Sequence, residues 1–258
     1  MNGVFLMNND RNSGGGKYVV KLYDDERIDR LVSYEQMPII QSPTVFSYSL
    51  DAVLLANFVY VPIQRGNILD IGTGNGVIPL LLSNRTKATV IGLEIQERLA
   101  DMAKRSVQMN ELSERIHIIE GDLREPHESL AQSYFDVVTC NPPYFKTPKA
   151  TEFNKNEHLT IARHEIACSL EDVVKAAKRY VKPRGKVAFV HRPERLVDII
   201  TLFRHYNIEP KRMRLVYPKQ NKAANMLLIE GTRDGSVGLD ILPPLYIYKD
   251  DGTYTKEA

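Results

Sequence analysis

A glycine-rich turn follows a short apolar run near residue 70 and is the strongest chemical signal in the sequence. Residues 68–71 are apolar apart from Asp70, and glycines then alternate with other residues at Gly72, Gly74 and Gly76. Such a turn lets the backbone approach a ligand where any side chain would collide. The last glycine of a dinucleotide fingerprint would fall on Val77, so a pyrophosphate cofactor is disfavoured. Asp70 would repel phosphate but could accept a hydrogen bond from an amino-acid ammonium group.

Two more acids follow the next predicted strands. Glu94 ends an apolar run, where a carboxylate can accept hydrogen bonds from two ribose hydroxyls, and Asp122 is placed to accept from an adenine amino group. Acids after three consecutive strands, together with the glycine turn, predict an S-adenosylmethionine site. With only two cysteines in the chain, no metal site is predicted.

The fourth apolar run, residues 135–140, leads into a stiff corner with the sequence Asn141-Pro142-Pro143-Tyr144. Each proline fixes φ and lacks an N–H, so the strand must stop there. An exocyclic nitrogen is a poor nucleophile while its lone pair is delocalised. The Asn141 side-chain oxygen and the Pro142 carbonyl could accept hydrogen bonds from both N–H groups of this nitrogen. Its lone pair would then point at a sulfonium methyl. These four residues are the predicted catalytic set; Tyr144 would stack on the planar target, and Asn141 also borders the cofactor.

Apolar runs alternate with helix-period segments, as in a doubly wound α/β sheet. The predicted core strands are residues 67–71, 89–94, 116–120, 135–140 and 186–191. A helix at 49–58 precedes them, and others should begin near Val77, Gln96, Glu125, Leu170 and Pro193. Two last apolar stretches, 213–217 and 226–230, form a closing hairpin. The predicted fold is α/β, a Rossmann-like, class I methyltransferase sheet of seven mostly parallel strands with an antiparallel C-terminal hairpin.

The length of 258 residues, 43% of them hydrophobic, suits one catalytic domain. We expect a flexible extension over 1–24, the methyltransferase domain over 25–232 and an irregular tail over 233–258. The scarcity of cysteine favours the reducing cytosol, and no segment approaches 18 uninterrupted apolar residues. A cytoplasmic protein without a membrane segment is therefore expected.

Positive charge is concentrated in residues 175–222, which contain 14 Lys or Arg and three acids, although the net charge of the chain is only +2. Such a block could bind phosphates on one face of the fold. It could equally be an ordinary solvated surface, and the sequence alone leaves both interpretations open.

The segments 70–76 and 141–144 resemble the N6-adenine and N5-glutamine methyltransferases. Further segments resemble the bacterial tRNA-valine adenine-37 N6-methyltransferase family in particular, and the similarity spans about residues 25–232. These segments are residues 46–56, the corner extended to Phe145, residues 162–165 and the closing strand at 224–231.

The resemblance implies methyl transfer to N6 of the adenine just 3′ of the anticodon in a tRNA. It also implies that Asp51, which matches the family pattern, belongs to the cofactor site. An anticodon-loop adenine is already unpaired, so extruding it costs less than opening a duplex. Phosphate contacts are expected from Arg163, Arg214, Lys219 and Lys222. The identity of the tRNA and the oligomeric state stay open.

Three other functions remain as alternatives. A protein N5-glutamine methyltransferase would use the same corner, but such enzymes usually have a helical substrate domain before the glycine turn, where this chain has a short segment with prolines. A guanine-N2 rRNA methyltransferase more often has an apolar residue other than tyrosine in the fourth position of the corner. A catalytically silent RNA-binding module would have no need of Asn141 and the cofactor acids.

Overall fold

The computed structural model describes residues 20–31, 34–45, 48–142 and 168–257. Within this part of the chain, a short antiparallel hairpin of β1 (Arg27–Leu31) and β2 (Tyr34–Gln41) precedes a sheet of nine strands. The strands of the sheet are β3 (Asn67–Ile71), β4 (Thr89–Glu94), β5 (Ile116–Glu120), β6 (Phe135–Cys140), β7 (Val181–His191), β8 (Ile208–Tyr217), β9 (Met226–Arg233), β10 (Asp240–Ile241) and β11 (Leu245–Tyr246).

The core of the sheet has five parallel strands in the order β5-β4-β3-β6-β7. β9 is antiparallel to β7 and lies between β7 and β8, so that β8 and β9 form the closing hairpin. These seven strands confirm the predicted class I arrangement. The first four core strands also have the predicted bounds, because buried parallel strands are continuous apolar runs that end at polar turns.

Helices cover both faces of the sheet. On one face, α1 (Leu50–Phe58) and α2 (Val77–Ser83) pack against a cluster that includes Ile68 and Val137. On the other face, α4 (Leu170–Tyr180) and α5 (Leu196–His205), the latter preceded by a 3-10 turn at Pro193–Arg195, pack against Leu69. The remaining helix, α3 (Glu97–Met109), packs against β2 and β5. Successive side chains of β3 therefore point to opposite faces of the sheet and pack into different apolar clusters.

The helix predicted near Glu125 is absent: the segment between β5 and β6 forms turns instead. The Glu125 N–H donates to the carbonyl of Asp122 at 3.2 Å, and the Leu130 N–H donates to that of His127 at 3.0 Å. Proline is tolerated in the first turn of a helix, so Pro126 does not by itself exclude one, but turn hydrogen bonds replace a helical ladder in this segment.

The sheet is larger than predicted at its C-terminal side. β8 and β9 extend beyond the expected stretches 213–217 and 226–230, and β7 begins at Val181, which pairs with Phe135, rather than at residue 186. The tail was expected to be irregular, but it contributes β10 and β11, both parallel to β8. Strands of two residues are too short for apolar alternation to reveal them.

Residues 20–24, assigned from the sequence to a flexible extension, pack on α3. The Tyr23 ring stacks against the guanidinium groups of Arg98 and Arg105, 4.7 and 4.8 Å from its centroid. The fully buried Glu26 side chain pairs with Arg98 at 3.0 Å and with Arg105 at 2.6 Å. These contacts hold the first described residues on the surface of the domain.

The longest helix among the described residues, Glu97–Met109, has 13 residues and a charged face. No described helix combines the length and the hydropathy that a bilayer crossing requires.

Candidate active site

The strand ends bring the glycine turn and the diproline corner to one edge of the sheet. Ile71 of β3 lies opposite Leu93 of β4 and Cys140 of β6. The next residue in each strand is therefore Gly72, Glu94 or Asn141. Because all three strands are parallel, the turn, the acid and the corner are neighbours at the carboxyl edge, where open α/β sheets bind ligands.

The glycine turn has a backbone that few other residues could adopt. Gly72, Gly74 and Gly76 have φ values of +68°, +58° and +85°, in the left-handed region. A Cβ on Gly76 would lie 3.1 Å from that of Ala103, so this glycine also lets α2 approach α3. Cβ atoms on Gly72 and Gly74 would meet no atom within 4 Å. The turn therefore presents bare backbone to open space, as a cradle for a ligand does.

Asp70 is fully buried, and only one of its two carboxylate oxygens has a hydrogen-bond partner among the described residues. Its Oδ1 accepts a 2.6 Å hydrogen bond from the Thr139 hydroxyl, whereas its Oδ2 has no hydrogen-bond partner among the described residues. Burial raises the pKa of the Asp70 carboxyl to about 7, although the hydroxyls of Thr139 and of nearby Thr73 oppose the shift. A buried carboxylate oxygen without a donor suits a cationic ligand group, which fits the ammonium of an amino-acid moiety.

Glu94 braces the glycine turn. Its side chain accepts from the backbone N–H of Gly74 at 2.8 Å and from that of Gln96 at 2.9 Å, and the residue is 4% exposed. Burial raises the pKa of Glu94, and these two N–H groups oppose that effect. Each carboxylate oxygen accepts more than one hydrogen bond, so Glu94 retains capacity for ribose hydroxyls.

Asp122 has a different environment from the other two acids. Both of its carboxylate oxygens bond the Arg124 side chain, with the Arg124 Nη2 to Asp122 Oδ2 distance at 2.5 Å. The hydrogen bonds from Arg124 lower the pKa of Asp122. Its acceptor capacity is therefore largely engaged, and its predicted role towards an adenine amino group requires sharing with this arginine.

Asp51 lies in the first turn of α1, which packs against α2, the helix that follows the glycine turn. The hydrogen bonds of the described residues do not join Asp51 to Asp70 or Glu94. Its assignment to the cofactor site stays a prediction.

Asn141 is half-buried and Pro142 is buried, directly after β6. The predicted catalytic residues Pro143 and Tyr144 and the predicted RNA contact Arg163 lie outside the described residues. Asn141 thus lies next to the glycine turn, and the catalytic role of the corner stays a prediction.

Two residues at this edge were missed by sequence reasoning. Thr139 is the donor to Asp70, and His191 ends β7, the strand next to β6. The Nδ1 of the buried His191 ring accepts from the Arg192 backbone N–H at 2.7 Å, and burial lowers the pKa of His191 to about 4. A neutral imidazole therefore lies at the end of β7, at the carboxyl edge of the sheet. The sequence signal that could have identified His191 is a polar residue at the end of an apolar strand.

The predicted RNA contacts divide into two kinds. The Arg214 Nη1 forms a 2.6 Å ion pair with Glu257 of the tail, and its Nε donates to the Pro243 carbonyl at 2.8 Å. Lys219 and Lys222 lie in the turn between β8 and β9, at the same edge of the sheet as Asn141. Arg214 is thus engaged by the tail. Lys219 is half-buried and its Nζ donates to the Asp250 carbonyl of the tail at 3.5 Å, whereas Lys222 is exposed.

Comparisons with known proteins agree with this geometry. Residues 36–198, more than half of the chain, match the family model described as methyltransferase small domain. The chain is 31% identical over 237 residues to a tRNA1(Val) (adenine(37)-N6)-methyltransferase of Porphyromonas gingivalis, covering 88% of this chain and 91% of that protein. A protein with the same name from Flavobacterium psychrophilum is 29% identical, covering 79% of this chain and 92% of the relative.

Solved structures share the fold at lower identity. A predicted O-methyltransferase from Agrobacterium tumefaciens superposes with a TM-score of 0.64 at 22% identity, covering 80% of this chain and 92% of that chain. A geranyl diphosphate methyltransferase gives a TM-score of 0.54 at 10% identity, covering 71% and 78%. The family model and the curated relatives confirm the resemblance inferred from the sequence: the chain belongs to the methyltransferase small domain family.

Proposed function

We propose that this protein transfers the methyl group of S-adenosylmethionine to the exocyclic N6 of an adenine in RNA, namely adenine 37 in the anticodon loop of a tRNA. The observation that carries the proposal is that Asn141 and the glycine turn are neighbours at the carboxyl edge of a class I sheet. The names of the relatives supply the target nucleoside and the tRNA.

The residues present fit this cofactor. Asp70 Oδ2, a buried acceptor without a donor among the described residues, suits the ammonium group, and Glu94 suits the ribose. The open space beside Gly72 and Gly74 admits a ligand against the backbone. When bound, S-adenosylmethionine supplies an electrophilic methyl on a sulfonium. The protein residues bind and orient it.

Asn141 and Pro142 orient the target amine. The Asn141 side-chain oxygen and the Pro142 carbonyl accept one hydrogen bond each from the two N–H groups of the amine. This arrangement favours tetrahedral character at the nitrogen and exposes its lone pair. The acceleration comes from orientation and electrostatics. The transfer needs no general base, because the ammonium product is strongly acidic and can lose its proton afterwards. A neutral His191 is compatible with this sequence of events.

Lys219 and Lys222 are proposed to contact RNA phosphates; their position at the same edge of the sheet as Asn141 supports this role. An anticodon-loop adenine can reach the corner without the opening of a base pair. A cytoplasmic location stays a prediction from the amino-acid composition.

The test is transfer of a labelled methyl group from S-adenosylmethionine to tRNA isolated from cells that lack the protein, followed by nuclease digestion. Label in N6-methyladenosine is the expected result. Label in N2-methylguanosine or in protein glutamine would replace this function with one of the alternatives. Cofactor binding without any transfer would indicate a silent RNA-binding module.

A further inference from the structure

Thr139 and Asp70 are partners across two central strands. They are directly opposite each other in the register of β6 and β3, and both are fully buried. Their neighbours two residues earlier, Val137 and Ile68, belong to the same apolar cluster, so both side chains lie on the face that α1 and α2 cover. The hydroxyl oxygen of Thr139 is 2.6 Å from Asp70 Oδ1.

This contact determines which carboxylate oxygen is available. Threonine is branched at Cβ and has few accessible rotamers in a packed strand, so its hydroxyl is a fixed donor. The bond engages Oδ1 and leaves Oδ2, which has no donor among the described residues. A freely rotating carboxylate would have to be ordered when a ligand binds, and that ordering would weaken binding.

We propose that Thr139 is a positioning residue for the cofactor: its hydroxyl fixes the Asp70 carboxyl group through Oδ1 and leaves Oδ2 to accept a hydrogen bond from the ammonium group of S-adenosylmethionine. The inference rests on the proposed function for the identity of the cofactor. Asn141 follows Thr139 by two residues, so β6 and the residue directly after it carry both the side chain that would orient the methyl donor site and the one that would orient the target amine.

The electrostatic surroundings make this hydroxyl important. Burial raises the pKa of Asp70 to about 7, the hydroxyls of Thr139 and, to a smaller extent, Thr73 oppose the rise, and the Glu94 carboxylate adds to it. Burial keeps the Cys140 thiol protonated by raising its pKa well above the usual range. α2 has no titratable side chain, and α4 packs on the opposite face of β3. On the same face, α1 carries the acid Asp51, and no cation among the described residues lowers the pKa of Asp70.

The experiment compares wild type with Thr139→Val, which removes the hydroxyl at similar volume, and with Thr139→Ser, which retains it. Calorimetry measures S-adenosylmethionine binding between about pH 5.5 and pH 8.5. Carbon-13 NMR of labelled aspartate follows the titration of Asp70 without cofactor, with Asp70→Asn identifying its signal. Thr232→Val, at a buried threonine of β9 that pairs with the first part of β7, is the matched control.

We expect Thr139→Val to move the titration of Asp70 to higher pH and to weaken cofactor binding at neutral pH about three- to tenfold, the usual effect of one hydrogen bond. Thr232→Val should resemble wild type, and Thr139→Ser, which retains the hydroxyl but not the branch at Cβ, should lie closer to wild type than Thr139→Val. An unchanged Asp70 titration together with an unchanged Kd in Thr139→Val would overturn the inference. A wild-type protein that binds no S-adenosylmethionine at any pH would instead refute the proposed function, while the NMR titration would still decide the effect of Thr139 on Asp70.

Discussion

The acids at the carboxyl edge have unequal electrostatic environments, although their positions after predicted strands are alike. Asp70 has one unpartnered oxygen among the described residues, Glu94 is braced by backbone N–H groups, and Asp122 is paired with Arg124. Strand ends are visible in a sequence because apolar runs stop there. The partner of each acid depends on strand register and side-chain packing, which a single sequence does not specify.

The same reasoning explains which site residues were missed. Thr139 is a β-branched residue in a strand and looks like ordinary strand composition. Its role follows from its position opposite Asp70, and that pairing is a property of the assembled sheet.

Replacing Asp70 by Asn should change the pH dependence of stability in the protein without cofactor. The folded-state pKa of about 7 is above the usual value of 3.8, so between these values the folded protein binds the extra proton. The contribution of Asp70 to stability is therefore largest at low pH and decreases as the pH rises towards and through 7. Asparagine lacks this titration. The midpoint temperature of Asp70→Asn relative to wild type should rise from about pH 5 to about pH 8.

Thermal unfolding at matched ionic strength measures this difference, with Asp240→Asn on the exposed β10 as the control. A difference between Asp70→Asn and wild type that stayed constant with pH would mean that Asp70 is not a buried, titrating carboxyl.

At the scale of elements, the parallel core could be predicted and the peripheral pieces could not. β3 to β6 agree with the sequence because each is an apolar run bounded by polar, glycine or proline residues, and the glycine turn after β3 also marks the start of α2. The β1–β2 hairpin and the short strands of the tail have only a weak alternation of apolar and polar residues. The pairing of β10 and β11 also depends on the exposed edge of β8, which forms only in the folded sheet.

Two glycines of the turn should respond differently to alanine. Both have positive φ, which strains an alanine by about 1–2 kcal/mol. Gly76→Ala also forces a Cβ to within 3.1 Å of the Ala103 side chain, so it should lower the unfolding temperature more than Gly74→Ala. At Gly74 the added Cβ enters the open space beside the turn, so the main effect there should be a weaker affinity for S-adenosylmethionine.

Thermal unfolding and calorimetric titration of both variants make the comparison. Equal loss of stability with no loss of affinity in Gly74→Ala would show that the space beside this glycine does not receive the cofactor.

At the scale of the whole molecule, the two ends of the described chain pack on the domain that carries the site. Residues 20–26 are held on α3, and the tail buries Leu245 and Ile247 next to β8. The tail also pairs Glu257 with Arg214, leaving Arg214 18% exposed at its side chain. A block of positive charge in the sequence is thus divided by folding into structural cations and accessible ones.

RNA binding should distinguish these two classes of cation. Lys222→Ala removes an exposed charge at the catalytic edge, so it should weaken tRNA binding and reduce the slope of log K against log salt by about 1. Arg214→Ala should mainly lower the unfolding temperature, because it breaks contacts with the tail. Filter binding at several salt concentrations measures the slopes. Equal slopes for Lys222→Ala and wild type, with a reduced slope for Arg214→Ala, would reverse this assignment.

The central claim is that Asn141, beside the glycine turn, directs methyl transfer to adenine N6 in tRNA. The most direct measurement is the N6-methyladenosine content of tRNA from cells that lack the protein, complemented with wild type or with Asn141→Ala at equal expression. We predict that the modified nucleoside is lost without the protein, returns with wild type and is reduced by about 100-fold or more with Asn141→Ala. Full restoration by Asn141→Ala, or an unchanged nucleoside content in the absence of the protein, would contradict the claim.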